Sequence, residues 1–227
     1  MLTISRRCVP FTPFDKDLAT AVVTLVSATG VYAAGQEPFP TEDPGDITWR
    51  AIAGDADVGA LRIAHHHYDH SEADADPNIV FPLQSLRELA EQGVIAAVND
   101  KHYAYGFTTR LRELYETTFP EIADKVERSK TKLVVMTAGC PETCHRTIAT
   151  LAREIEARGV PTIVITASPA ATASVHPPRA MTFDGSDIGR VVGRAGDRDF
   201  HRAAVRAALE MFTHDTPPGK VVTKSVR

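Results

Sequence analysis

Three runs in this chain of 227 residues, AVVTLV at 21–26, LVVM at 133–136 and TIVIT at 162–166, are almost continuously apolar and rich in β-branched side chains. A strand with one wet face alternates polar and apolar residues; a strand without alternation has to be covered on both faces. Around these runs lie stretches with helical spacing. In LQSLRELAEQG the apolar positions are Leu83, Leu86, Leu89 and Ala90, with Gly93 as the stop. Further helices are predicted over 144–158, closed by Gly159, and over about 199–212. Residues 108–128 read as helical on both sides of Pro120, which opens a new segment. Short strands are predicted at 61–64 and 94–98. Strands alternating with helices predict an α/β fold with a mainly parallel sheet flanked by helices on both faces, of Rossmann or flavodoxin-like type. No repeat is visible, and only 38–45 and 168–196 read as linkers, so one domain over 1–227 is expected.

Composition removes several classes of function. A net charge of -4 gives no basic footprint for nucleic acid. No apolar run approaches the roughly 18–20 residues of a membrane helix. Pro10, Pro13 and acidic residues interrupt any signal-peptide pattern at the start, so a cytoplasmic protein is expected. Three cysteines are too few for a disulfide framework, which leaves Cys140 and Cys144 reduced and available for chemistry.

In parallel sheets chemistry gathers at the carboxyl ends of the strands. Gly30, the run HHHYDH from His65, the pair His102-Tyr103, the cysteine loop and the loop 168–179 all follow predicted strands and are predicted to meet. The cysteine loop reads TAGCPETCHRT from Thr137. Pro141 suits the first position of a helix and Glu142 its first turn, which puts Cys140 at the N-cap and Cys144 one turn later on the same side. Unpaired amides at a helix start stabilise a thiolate, so Cys140 is the reactive sulfur; Cys144, further in, favours the neutral thiol. One turn is also within disulfide reach. A redox pair, half of a metal site, or a nucleophile with a helper all fit this spacing. His145 either holds the thiolate or faces solvent, His102 either lines the pocket or does not, and Cys8 reads as a plain surface residue.

The histidines offer a rival. His65-x-His67-x-Asp69-His70 matches the metal-binding string of metallo-β-lactamase-like hydrolases, whose fold needs further ligands and two stacked sheets. This chain reads as one parallel unit, so a metal-dependent hydrolase is the alternative reading and no metal site is expected. His66 and His70 read as loop residues, and His176, His201 and His214 as surface.

The string Thr137-Ala138-Gly139-Cys140-Pro141-Glu142-Thr143-Cys144-His145-Arg146 resembles the selenoprotein B family of the glycine, sarcosine, betaine and D-proline reductases, and most of all its D-proline reductase branch. There the strand ends in Thr-Ala-Gly-selenocysteine-Gly-Thr-Cys-His-Arg. His65, Tyr68, Asp69, Asp76, FPLQSLRELAEQG, the pair Pro178-Arg179 and the closing PPGKVV extend the likeness. Cysteine stands here at the selenocysteine position, and the loop between the sulfurs is one residue longer. The resemblance implies reductive cleavage of a C–N or similar C–X bond in a small amine or amino acid. Cys140 would be the nucleophile and Cys144 the resolving thiol, with His65, Tyr68 and Asp69 beside them. Gly30, His102, Tyr103, His145 and Arg179 would line the substrate pocket. It implies no tightly bound cofactor on this chain, a dithiol or thioredoxin-like reductant, and a partner subunit carrying a pyruvoyl group, since no pyruvoyl segment is evident here. A homo-oligomer or a complex is expected. A third reading is a redox-sensing subunit without turnover.

Overall fold

The computed structural model describes residues 8–214 and 217–226. The chain opens with β1 (Val22–Ala28), β2 (Val31–Tyr32), β3 (Trp49–Ala53) and β4 (Arg62–Ile63). Helices α1 (Ser71–Ala75) and α2 (Leu83–Glu91) lead to β5 (Ala97–Val98) and β6 (Lys101–Tyr105). Helix α3 (Leu111–Glu113) continues through a π turn (Leu114–Thr118) into α4 (Phe119–Glu127). Then come β7 (Leu133–Ala138), α5 (Thr143–Glu156), β8 (Thr162–Ile165), α6 (Pro169–Ala173), β9 (Ala180–Phe183), α7 (Arg198–Glu210) and β10 (Val221–Lys224).

The main sheet runs β10-β9-β8-β7-β1-β6-β3, with β5 also on β1. Every pairing is parallel except β3 against β6. The uninterrupted apolar runs have the reason expected of them: β7 is buried at every position and β1 at all but its first. Helix α4 packs with α5 and α2 with α7, which gives the sheet its two helix layers. Helix α5 turns Cys144, Ile148, Leu151 and Ile155 inward at helical spacing.

Several local expectations are corrected. The strand predicted at 94–98 is only β5; the chain swings out at Asn99 and Asp100 and returns as β6. Between the pairs Val23–Val98 and Val26–Tyr103 the β6 side carries two extra residues. The gap is filled by His102, whose Nδ1 accepts the Leu25 amide at 2.8 Å in place of a carbonyl. Burial, with Arg87 nearby, lowers the pKa of His102 to about 3, so this imidazole is a neutral fixture of the sheet. Segment 61–64 yields β4, which lies off the main sheet and pairs antiparallel with β2. Segment 168–196 holds α6 and β9 rather than a plain linker. Pro120 sits at the start of α4, and the wider π turn precedes its missing N–H.

Arg179 immediately precedes β9, at the amino edge of the sheet. Its guanidinium bonds Glu156 at the end of α5 (2.6 Å) and the Thr12 carbonyl (2.7 Å), with both charged side chains at most 1% exposed. It lies over the Phe11 ring as well. Removing one partner of such a pair strands the other charge. Arg179→Met is therefore expected to lose about 3–5 kcal/mol in urea unfolding, while the reactivity of Cys140 stays as in the parent. Slowed or accelerated Cys140 labelling in that variant would place Arg179 in the thiol site after all.

Candidate active site

The carboxyl ends of β1 and β7 lie side by side, where the Gly139 amide donates to the Ala28 carbonyl at 3.0 Å. Two glycines let the histidine segment settle on this edge. Gly30 has φ +73°, and a Cβ there would stand 2.3 Å from the Ala64 carbonyl oxygen. That oxygen's own residue donates its amide to the Gly30 carbonyl at 2.9 Å. At Gly139 a Cβ would stand 2.3 Å from the Tyr68 ring, so only glycine lets that ring lie across the strand end. The Tyr68 hydroxyl donates to the Thr29 carbonyl at 2.9 Å, and burial raises its pKa well above the ordinary value. Tyr68 is a neutral floor, 4.7 Å from the His65 ring.

Helix α5 begins at Thr143, two residues later than Pro141, and its first-turn amides nevertheless serve the sulfur. The Cys144 N–H donates to Cys140 Sγ at 3.1 Å. The two sulfurs are 2.7 Å apart, inside van der Waals contact, and both residues are 2% exposed or less. Cys140 Sγ already accepts the Cys144 amide, and with Cys140 as the more acidic of the two it is the Cys144 thiol that holds the proton of the bond between the sulfurs. That bond, then His65 and the Cys144 amide, lower the Cys140 pKa to about 4 against the opposing effect of burial. Burial first, and the neighbouring thiolate second, push Cys144 well above the usual thiol range. One sulfur is thus charged and the other holds its proton.

His65 completes the group, with Nε2 3.2 Å from Cys144 Sγ. Its Nδ1 accepts the His67 amide at 3.1 Å, so Nε2 carries the ring proton and points it at the sulfurs. Burial lowers the pKa of this imidazole and keeps it neutral. The ligand atoms of His65, Cys140 and Cys144 lie within 4.8 Å of one another. As a metal site the trio is set the wrong way round. A ligating histidine donates its second ring N–H outward, whereas here that nitrogen receives a proton and Nε2 has no free lone pair.

His145 neither holds a thiolate nor faces solvent. The Ala167 amide donates to its Nε2 at 3.1 Å, which leaves the proton on Nδ1 to donate to the Cys140 carbonyl at 2.6 Å. It is fully buried with a lowered pKa, a neutral tie between the cysteine loop and the end of β8.

The structure thus brings His65, Tyr68, Cys140 and Cys144 together, with Gly30 beneath them. It does not bring the rest. Asp69 is exposed and its carboxylate accepts the Ser71 amide at 3.0 Å, a bond that lowers its pKa. His102 lies inside the sheet, well short of the edge. Tyr103 packs edge-on against Trp49 (5.6 Å) on a separate cleft, and Arg179 is at the opposite edge. The hydrolase string also diverges: His65 turns to sulfur, His67 toward Asp43, His70 to Asp74 and Asp69 to a backbone amide. His201 is buried rather than on the surface, bonded to the Arg194 carbonyl. Phe107, unnoticed in the sequence, stacks on His67 with centroids 3.5 Å apart and stands 5.9 Å from His65. Recognising β6 would have placed it, because it follows that strand's carboxyl end directly.

Residues 4–139 match the family model of the glycine/sarcosine/betaine reductase selenoprotein B proteins, a match that stops one residue short of Cys140. The chain is 32% identical to D-proline reductase subunit gamma of Acetoanaerobium sticklandii, over 93% of its own length and 86% of that protein. It is 31% identical to glycine reductase complex component B subunit gamma of Symbiobacterium thermophilum, over 68% of this chain and 37% of that one. For betaine reductase complex component B subunit beta of Peptoclostridium acidaminophilum the identity is 29%, over 65% and 34%. The chain therefore spans only about a third of the length of these last two relatives. No solved structure matches it. No helix among the described residues is long and apolar enough to cross a membrane.

The split between the sulfurs has a direct readout. Alkylation of Cys140 is expected to keep one rate between about pH 8 and about pH 5 and to fall only as pH drops through about 4, with Cys144 labelled later. An inflection near the ordinary thiol value of about 8.5 would show that Cys140 is not held as a thiolate.

Proposed function

The chain belongs to the glycine/sarcosine/betaine reductase selenoprotein B family, and from that premise we propose that it is the thiol-bearing subunit of a reductase that cleaves a C–N bond in a small amine or amino acid. The observation that carries this reading is the contact of a low-pKa sulfur with a protonated one, 2.7 Å apart beside a histidine N–H.

The Cys140 thiolate attacks the carbon that bears the substrate nitrogen. A C–S bond forms, the C–N bond breaks, and its electron pair leaves with the amine. Once Cys140 is alkylated, the negative charge that held the Cys144 proton is gone, so that thiol becomes more acidic and yields its proton to the departing amine. The His65 N–H stabilises the new Cys144 thiolate. This thiolate then attacks Cys140 sulfur; an S–S bond forms and the S–C bond breaks. Carbon leaves with that electron pair, stabilised by a neighbouring carbonyl, and takes a proton from solvent. The substrate gains two electrons and the cysteine pair loses two. A dithiol or thioredoxin-like donor then restores both thiols. His145, through the Cys140 carbonyl, fixes the loop in which both attacks occur, and Tyr68 keeps the floor neutral.

The relatives are named as subunits or components of reductases, and we assign this chain a partner subunit too. A pyruvoyl group on that partner would hold the substrate amine, and no step above uses it. A redox-sensing subunit without turnover would form the disulfide yet release no reduced product.

In the assembled enzyme Cys140→Ser is expected to abolish amine release, a loss of at least about a thousandfold given the weak nucleophilicity of a serine hydroxyl. Cys144→Ser is expected to make one attack and stall, leaving a substrate-derived mass on Cys140 in intact-protein mass spectrometry. Full turnover in either variant would refute the assignment of nucleophile and resolving thiol.

A further inference from the structure

Beside the sulfurs, three segments that are distant in sequence converge on a second group of side chains. We propose that Asp43, His66 and His67 form a binding site for a divalent ion of the zinc class, separate from the thiol site. One ligand atom from each of the three lies within 4.8 Å of the others. The proposal does not depend on the reductase reading.

The distances match coordination better than direct bonding. His67 Nε2 stands 3.5 Å from Asp43 Oδ1, at the outer limit of a hydrogen bond. Two ligand atoms each about 2.0–2.1 Å from a tetrahedral ion stand roughly 3.4 Å apart. His67 Nε2 is shielded from solvent and has no hydrogen-bond partner among the described residues, a cost that a metal would remove. The His66 ring lies 4.0 Å from the His67 ring, on the same side of the segment.

The group is also held in place by its surroundings. His67 is stacked on Phe107, and its own amide is fixed by His65 Nδ1. On the other side, the Pro44 carbonyl accepts from the Thr109 amide and the Thr108 hydroxyl, both at 2.9 Å. The loop that carries Asp43 is therefore anchored to the same stretch that carries Phe107. Two imidazoles and one carboxylate suit zinc, cobalt or nickel, and three protein ligands leave a position open to water. This set is not the H-x-H-x-D-H string: it takes Asp43 from another loop and leaves out Asp69. A bound ion would tie the loop of Asp43 to the histidine segment that lies over the sulfurs.

The thiols would themselves attract zinc, so the test removes them. Zinc is titrated into the full chain carrying Cys140→Ser and Cys144→Ser, followed by calorimetry. One ion per chain is expected, with Kd raised at least tenfold when His66→Ala or Asp43→Asn is added. Absence of stoichiometric zinc in the double-serine chain, or an unchanged Kd in both added variants, overturns the proposal. A second measurement leaves the cysteines intact and compares thermal unfolding with and without zinc. The zinc-dependent rise in Tm is expected to shrink in Asp43→Asn, whose carboxylate is exposed and outside the core; an equal rise in both chains places the ion on the sulfurs and overturns it likewise.

Discussion

In a regular helix the amide of residue 144 would donate to the carbonyl of residue 140. Here the partners are exchanged: the Cys144 amide goes to the Cys140 sulfur, and the Cys140 carbonyl goes to His145 Nδ1. The first main-chain bond of α5 is then Arg146 to Glu142. The exchange requires four residues of separation between the sulfurs, which the extra loop residue provides. It also requires a neutral His145 with its proton on Nδ1, and the Ala167 amide enforces that tautomer from the end of β8. Through this one exchange the ends of β7 and β8 and the start of α5 become a single unit around Cys140.

The parts of the fold that could be read from sequence are those where one physical demand dominates. Continuous apolar β1, β7 and β8 can exist only inside a covered parallel sheet, and the two cysteines at a strand–helix seam can lie only at its carboxyl edge. The parts that could not be read depend on partners far along the chain. His102 looked like a pocket residue because the strand around it is broken at Asn99 and Asp100; its role is set by the Leu25 amide, 77 residues earlier. Arg179 is placed in the pocket by the family resemblance of the Pro178-Arg179 pair, and nothing local in the sequence identifies its partner as Glu156, 23 residues earlier. Asp69 sits among residues that do reach the sulfurs, but the chain turns into α1 just after it and Ser71 takes its carboxylate. Helix α5 starts at Thr143 because the Cys144 amide goes to the Cys140 sulfur and leaves the Cys140 carbonyl without its helical donor.

Selenium and sulfur make different demands on such a site. Against an ordinary thiol of pKa about 8.5, holding Cys140 near 4 raises its thiolate fraction at neutral pH about thirtyfold. The same shift lowers the intrinsic nucleophilicity of that thiolate by roughly a hundredfold, for a Brønsted slope of about 0.4–0.5. For the first attack the two effects nearly cancel, with a small net loss. The low pKa is therefore not there to speed attack on carbon. Its benefit falls on the step in which Cys140 departs, because a thiol leaves more readily as its pKa falls. When an external dithiol opens the Cys140–Cys144 disulfide of the proposed cycle, the sulfur stabilised by the Cys144 amide and the His65 N–H is the better leaving group. The Cys144 thiol, which contributes most to the low pKa, is absent from the disulfide, so at this step the amide and the imidazole act alone and the full shift returns once Cys144 is reduced. A selenolate brings a low pKa by its own nature; the sulfur at this position obtains its low pKa from the Cys144 thiol first, then from the imidazole and the helix start. What these contacts do not supply is the polarisability of selenium for attack on carbon, so in the proposed cycle the heaviest demand falls on C–S bond formation, and a carbon already activated toward attack meets it best.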